Sequence, residues 1–135
     1  MSRDMEKGDD YFIGQIARMQ RRFVSDDVKK WSALTLDTND VYDQPHAGAT
    51  KSILPGILSE GLISEVISKE LPGIPCVMMQ KELLYIHPVY LGEAITAELE
   101  IIDVNVERNW LTEKIRCVNE MGVEVIKGQI VLKLI

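Results

Sequence analysis

The apolar positions change period along the chain, and the changes mark out the elements. Residues 11–16 and 17–23 are short, half-apolar stretches that read as two strand candidates. Ser25 stands where a helix N-cap belongs, because its hydroxyl can accept a first-turn amide. Asp26 and Asp27 follow where negative charge suits the positive end of a helix. Val28, Trp31 and Leu34, with Thr35, are expected on one face of that helix. Residues 37–52 hold Asp, Asn, Pro and Gly without periodicity and predict an irregular segment or short helices. The next helix starts at Pro55-Gly56, since proline lacks a donor that a helix start could not use. Leu58, Leu62, Ile63, Val66 and Ile67 give it one wide apolar face, and Leu71-Pro72-Gly73 ends it.

Beyond that helix the period falls to two. Residues 77–79 and 83–86 form two short apolar segments, the second stopped by Pro88. In 93–103, Ile95, Ala97, Leu99 and Ile101 alternate with Thr96, Glu98 and Glu100. In 110–118, Leu111, Ile115 and Cys117 oppose Thr112, Lys114 and Arg116. A hairpin turn is expected at Glu120-Met121-Gly122, after which Ile126, Gly128, Ile130, Leu132 and Leu134 alternate with Lys127, Gln129 and Lys133. One very apolar helix followed by three to five antiparallel strands predicts an α+β fold with the sheet wrapped on the helix.

Composition narrows the function classes. A chain of 135 residues, 46% hydrophobic and 27% charged, fits one globular domain, running from residue 11 to 135 behind a charged arm at 1–10. The net charge of −6 and the lack of clustered Lys or Arg argue against nucleic acid as a partner. The longest apolar run falls well short of the ~20 residues a membrane span needs. Asp4, Glu6, Asp9 and Asp10 leave no apolar core for a secretory signal in the arm. Cys76 and Cys117 read as reduced structural thiols, and without a CxxC or a His/Cys cluster no metal site is expected. Together these features point to the cytoplasm.

Candidate chemistry is sparse. The two histidines are His87, at a strand end and read as structural or solvent-facing, and His46, in the polar segment where function more often resides. A Ser-His-Asp set can be written from Ser59 or Ser64, His46 and Asp37, but composition alone permits such sets in most proteins. No nucleophile elbow and no phosphate-binding glycine loop occurs. What remains is a polar cluster of Asp37, Asn39, Asp43 and His46 beside the apolar helix.

At Leu34-Thr35-Leu36-Asp37-Thr38-Asn39 the chain resembles the MaoC-like hot-dog proteins, the (R)-specific enoyl-CoA hydratases and 3-hydroxyacyl dehydratases. The resemblance extends over most of the chain. It takes in Phe23 to Val28, Gly56-Ile57-Leu58 with its helix, Leu71-Pro72-Gly73, His87 to Glu93 and Gly128 to Leu132. It implies a hot-dog fold, dimerisation with sites at the subunit interface, acyl thioesters of coenzyme A or acyl carrier protein as ligands, and no cofactor. In active members an Asp-x-Asn-Pro-x-His motif supplies an acid/base pair around a catalytic water, and an amide at the helix start faces the thioester oxygen.

Carried over by position, Asp37 is the implied acid/base, Asn39 and Gly56 match substrate-site positions, and Ser64 falls at a pocket serine. The family's proline is Asp40, its catalytic histidine is Tyr42, and the histidine before the helix glycine is Pro55. The loop between Asp37 and Gly56 is also a few residues shorter than usual. Tyr42, with an ordinary pKa near ~10, is a poor base at neutral pH but can donate a hydrogen bond. If residues 42–46 are helical, His46 lies one turn from the lost position and can take over its role. The expectation is a homodimer that reversibly hydrates 2-enoyl thioesters. A non-catalytic acyl-thioester-binding subunit and an acyl-CoA thioesterase are the alternatives.

Overall fold

The computed structural model describes residues 10–46 and 48–135, so nine residues of the expected charged arm lie outside the described residues. Strand β1 (Ile16–Arg22) is followed by helix α1 (Ser25–Thr35), a 3-10 turn at Asp40–Tyr42 and helix α2 (Gly56–Lys69). Strands β2 (Cys76–Tyr85), β3 (Ala94–Asn105), β4 (Trp110–Asn119) and β5 (Glu124–Leu134) complete the chain. They form one antiparallel sheet in the order β1-β3-β4-β5-β2. This is the α+β hot-dog arrangement, with α2 packed on the sheet.

The core is the seam between α2 and one face of that sheet. Leu62, Ile63, Val66 and Ile67 of α2 are buried against Ile95, Leu99 and Ile101 of β3, Leu111 and Ile115 of β4, and Ile126, Ile130 and Leu132 of β5. Each such side chain contributes roughly 1.5–3 kcal/mol when taken out of water, which makes the α2 face the main fixed element of the fold. Of the positions expected to face inward, Ile95, Ala97, Leu99 and Ile101 of β3 and Ile126, Ile130, Leu132 and Leu134 of β5 are buried, while Gly128 is only partly so.

Four local expectations need correction. The two N-terminal strand candidates are one strand starting at Ile16, because Gly14 (φ 94°) and the turn closed by Gln15 N–H to the Phe12 carbonyl (3.1 Å) break the first. Helix α1 is capped one residue earlier than expected, at Val24. Its N–H donates to Asp27 Oδ2 at 2.8 Å, so Ser25 is already the first helical residue. Leu34 is 83% exposed rather than sharing the inner face with Val28. At 3.6 residues per turn it sits about 120° around the helix from that residue. The segments at 77–79 and 83–86 belong to one strand, because Gln80, Lys81 and Glu82 between them keep pairing with β5 after a bulge between Met78 and Gln80.

Strand β2 lies at the sheet edge with only β5 beside it, and Val77, Met78 and Met79 are about half exposed there. Among the described residues, no helix is long and apolar enough to cross a membrane.

Candidate active site

Helix α1 ends in a left-handed residue, Leu36 (φ 63°), which turns the chain sharply into the Asp37 segment. Short hydrogen bonds then set that segment's shape. Asp37 N–H donates to Thr35 Oγ1 (3.3 Å), Asn39 N–H to Asp37 Oδ1 (3.3 Å), and Val41 N–H to Asn39 Oδ1 (3.2 Å). Asn39 thus caps the 3-10 turn that carries Tyr42. The Tyr42 hydroxyl comes to 3.5 Å from Asp37 Oδ2, a long hydrogen bond, and the Trp31 ring meets the Tyr42 ring edge-on at 5.9 Å.

Burial first, and then the Asp37 carboxylate, push the Tyr42 phenol above its usual pKa. Ionised phenolate beside a carboxylate would place two negative charges together in a half-buried site, so the proton stays on Tyr42. The pair is therefore a carboxylate acceptor with a neutral hydroxyl donor. Its position relative to α2 is set by the backbone: Ile53 N–H donates to the Val41 carbonyl (3.2 Å) and Leu54 N–H to the Val89 carbonyl (2.8 Å). Two residues after Leu54, Gly56 opens α2; Leu58 N–H bonds back to the Pro55 carbonyl (3.0 Å), and the helix start carries the positive end of the helix dipole.

The remaining sequence candidates are less closely joined. Residues 42–46 are not helical, since the 3-10 turn ends at Tyr42 with Asp43 as its C-cap. Asn39 commits its side chain to capping the start of that turn, accepting from Val41 N–H, and Pro45 lacks the N–H that a helix continuing through it would need. His46 is exposed, and its Nε2 lies 3.3 Å from the Asp40 carbonyl. Among the described residues no hydrogen bond links it to Asp37. Ser64 is exposed on the same open face of α2 as Ile57 and Gly61.

A cleft of about 560 Å³ opens beside the start of α2. It is lined by Gly56, Ile57 and Ser59 together with Tyr85, His87 and Ile126, among others. Tyr85 crosses the helix start so closely that a Cβ on Gly56 would lie 2.8 Å from its Cε1. Its hydroxyl donates to Glu60 Oε2, while Lys81 pairs with Glu60 Oε1. Ser59 is 1% exposed and its hydroxyl has no hydrogen-bond partner.

A 3-hydroxyacyl-[acyl-carrier-protein] dehydratase from Solanum lycopersicum is 31% identical over 123 residues, spanning 87% of this chain and 73% of that protein. The chain belongs to the MaoC-like hydratase and dehydratase family. An (R)-specific enoyl-CoA hydratase from Aeromonas caviae is 29% identical to this MaoC-like chain over 126 residues, 90% of it and 94% of the relative. The solved (R)-hydratase from A. caviae, described as involved in PHA biosynthesis, superposes with a TM-score of 0.87 at 27% identity. That match covers 93% of this chain and 98% of the other. No family-level sequence model matches the chain.

Several polar residues of this MaoC-like chain escaped the sequence reading. Glu60, Lys81 and Tyr85 are ordinary surface types in the sequence, and only the packing of α2 against β2 brings them together. Ser59 entered only as one possible member of a nucleophilic triad. Glu113 was legible: it is in phase with Leu111, Ile115 and Cys117, and the period of two puts it inside. It is fully buried, neither carboxylate oxygen has a partner, and desolvation pushes its pKa up to about 8.

Proposed function

We propose that this protein catalyses the reversible hydration of 2-enoyl thioesters of coenzyme A or acyl carrier protein, with Asp37 as the principal acid/base. The observation that carries this reading is the half-buried Asp37 carboxylate. It faces a neutral tyrosine hydroxyl and is tied through Val41 and Ile53 to the segment that opens α2.

In the hydration direction Asp37 removes a proton from a water molecule, and the oxygen adds to C3 of the enoyl chain. Negative charge moves onto the thioester oxygen, where the amides and dipole at the start of α2 stabilise it. The protonated Asp37 carboxyl then returns a proton to C2, completing the 3-hydroxyacyl product. Tyr42, held in its protonated form, donates to Asp37 or to the water and orients it. By the family resemblance it occupies the position of the motif's histidine, and in this reading it serves as a donor rather than as a base. His46 joins the site only by leaving the Asp40 carbonyl. Asn39 shapes the loop, and Gly56, having no Cβ, lets the Tyr85 ring lie across the helix start.

The reading also includes a homodimer built through the open edge of β2, which supplies the partner an apolar edge strand needs. It places the protein in a reducing compartment such as the cytoplasm, in keeping with the unpaired Cys76 and Cys117.

The test follows crotonyl-CoA by loss of its enoyl absorbance, with the protein and with Asp37→Asn. Turnover in the wild type and a drop of about 10²–10⁴-fold in the variant are expected, the range typical of a general acid/base. Binding of crotonyl-CoA without turnover would instead establish a thioester-binding subunit, and release of free coenzyme A a thioesterase.

A further inference from the structure

Tyr85 stands at the end of β2 and reaches across to α2. A Cβ on Gly56 would lie 2.8 Å from its Cε1, while its hydroxyl donates to Glu60 Oε2. Gly56 and Glu60 are four residues apart in the sequence, ~6 Å along the helix axis. The phenol therefore lies along the first turn of α2. Tyr85 and Glu60 both line the cleft of about 560 Å³, whose other walls are mainly apolar, with Ile53, Leu54, Ile57 and Val89 among them. An apolar cleft that opens at the helix start suits a hydrocarbon chain. A chain entering there and following α2 meets the Tyr85 ring at once.

Charge holds the ring in place. Lys81 and Tyr85 are four residues apart on β2 and leave the same face of the strand. Lys81 pairs with the second oxygen of Glu60, so one carboxylate on the helix ties down two side chains of the strand. Burial first, and then the Glu60 contact, raise the pKa of the phenol, which stays a donor to the carboxylate. A hydrogen bond to a charged acceptor is stronger than one between neutral groups. Tyr85 is nonetheless 44% exposed, so its ring can swing outwards without disturbing the core, at the cost of that bond.

We infer that Tyr85 limits the length of acyl chain the cleft accepts, with Glu60 as the positioning residue that holds its ring across the first turn of α2. Short chains fit beside the ring, and longer ones must displace it from Glu60. This deepens the thioester reading above and rests on it for the placement of the acyl group at the helix start.

The test measures binding of butanoyl-CoA and octanoyl-CoA by calorimetry, with crotonyl-CoA hydration assayed alongside. The proteins are the wild type, Tyr85→Ala, Tyr85→Phe, Glu60→Ala and Glu60→Gln. Each added methylene that finds apolar cover tightens binding about fourfold, so an unobstructed cleft would favour octanoyl-CoA by well over tenfold. The wild type should gain no more than about fourfold from the longer chain, and Tyr85→Ala tenfold or more. Tyr85→Phe keeps the ring and loses only the tie to Glu60, so its octanoyl preference should rise about two- to fivefold above wild type. Glu60→Ala should match it, and Glu60→Gln, which keeps an oxygen able to accept from the phenol, should restore the wild-type ratio. If Tyr85→Ala does not fold, Tyr85→Phe and Glu60→Ala decide. A strong octanoyl preference in the wild type would overturn the inference. So would a ratio that no variant moves, variants that weaken both thioesters equally, or failure of the wild type to bind either. A ratio moved by Tyr85→Ala alone would overturn the role of Glu60. A ratio that shifts as expected without any hydration of crotonyl-CoA would uphold the inference and count against the catalytic reading alone.

Discussion

Tyr42 directs its hydroxyl at Asp37 Oδ2 from 3.5 Å, across a turn that Asn39 caps. The contact puts a donor beside the carboxylate and leaves the carboxylate as the group able to take a proton. Burial and the nearby Asp37 charge both hold the phenol protonated, so the division of roles does not change near neutral pH.

That relationship separates the three side chains proposed around the reaction. Tyr42→Phe should lower crotonyl-CoA hydration by roughly two- to tenfold, as expected for loss of one long hydrogen bond worth ~0.5–1.5 kcal/mol. His46→Ala should stay within about threefold of wild type, because its ring engages the Asp40 carbonyl. Tyr42→His restores the residue found in the family's motif and should raise the rate. A large loss in His46→Ala with no effect in Tyr42→Phe would reverse the assignment.

The open edge of β2 leads to a second prediction. Val77, Met78 and Met79 expose apolar surface on a strand whose outer backbone groups face no neighbouring strand of the sheet. Gel filtration should give a dimer or larger species, and Met79→Lys should shift it towards monomer, since lysine on an edge disfavours strand pairing. A wild-type monomer that binds acyl-CoA fully at every dilution would refute the shared-interface picture.

Glu113 makes stability depend on pH in an unusual direction for a carboxylate. Its folded pKa, about 8, lies above the ordinary value of 4.5, so the folded state binds the proton more tightly than the unfolded one. This contribution is fully present below about pH 4.5 and declines as pH rises through about 8, at ~1.4 kcal/mol per pH unit in between. Glu113→Leu should flatten that slope and raise stability at pH 8 by ~1–3 kcal/mol, because an unpartnered buried acid is replaced by an apolar side chain. Urea titrations at pH 5 and pH 8 measure both effects. An unchanged difference between the two pH values would assign the slope to other groups.

Gly128 tests the sheet itself. A Cβ there would lie 1.9 Å from the Glu82 carbonyl oxygen and 3.0 Å from the Leu83 Cα, both backbone atoms of the adjoining strand β2. Backbone cannot swing aside as a side-chain tip can, so Gly128→Ala should destabilise by ~1–3 kcal/mol or more. A urea midpoint equal to wild type would show that β2 and β5 can separate without cost.

The sequence carried the scaffold because periodicity is a local property. Leu62, Ile63, Val66 and Ile67 share a helix face whatever surrounds them, and Ile95, Ala97, Leu99 and Ile101 must share a strand face. Two such apolar surfaces in one short chain have to cover each other, and the motif order from Asp37 to Gly128 named the family. The same logic would have put Glu113 inside.

Tertiary structure decided what depends on contacts between distant residues or on competing local hydrogen bonds. Asn39 could have faced a ligand, but its side chain instead caps the start of the 3-10 turn by accepting from Val41 N–H, and that turn stops at Asp43, short of His46. Ser59 reads as one more polar residue until α2 packs and buries its hydroxyl without a partner. Glu60, Lys81 and Tyr85 lie on two elements whose pairing follows from where the sheet closes on the helix. Their meeting is set by packing, which no local pattern records.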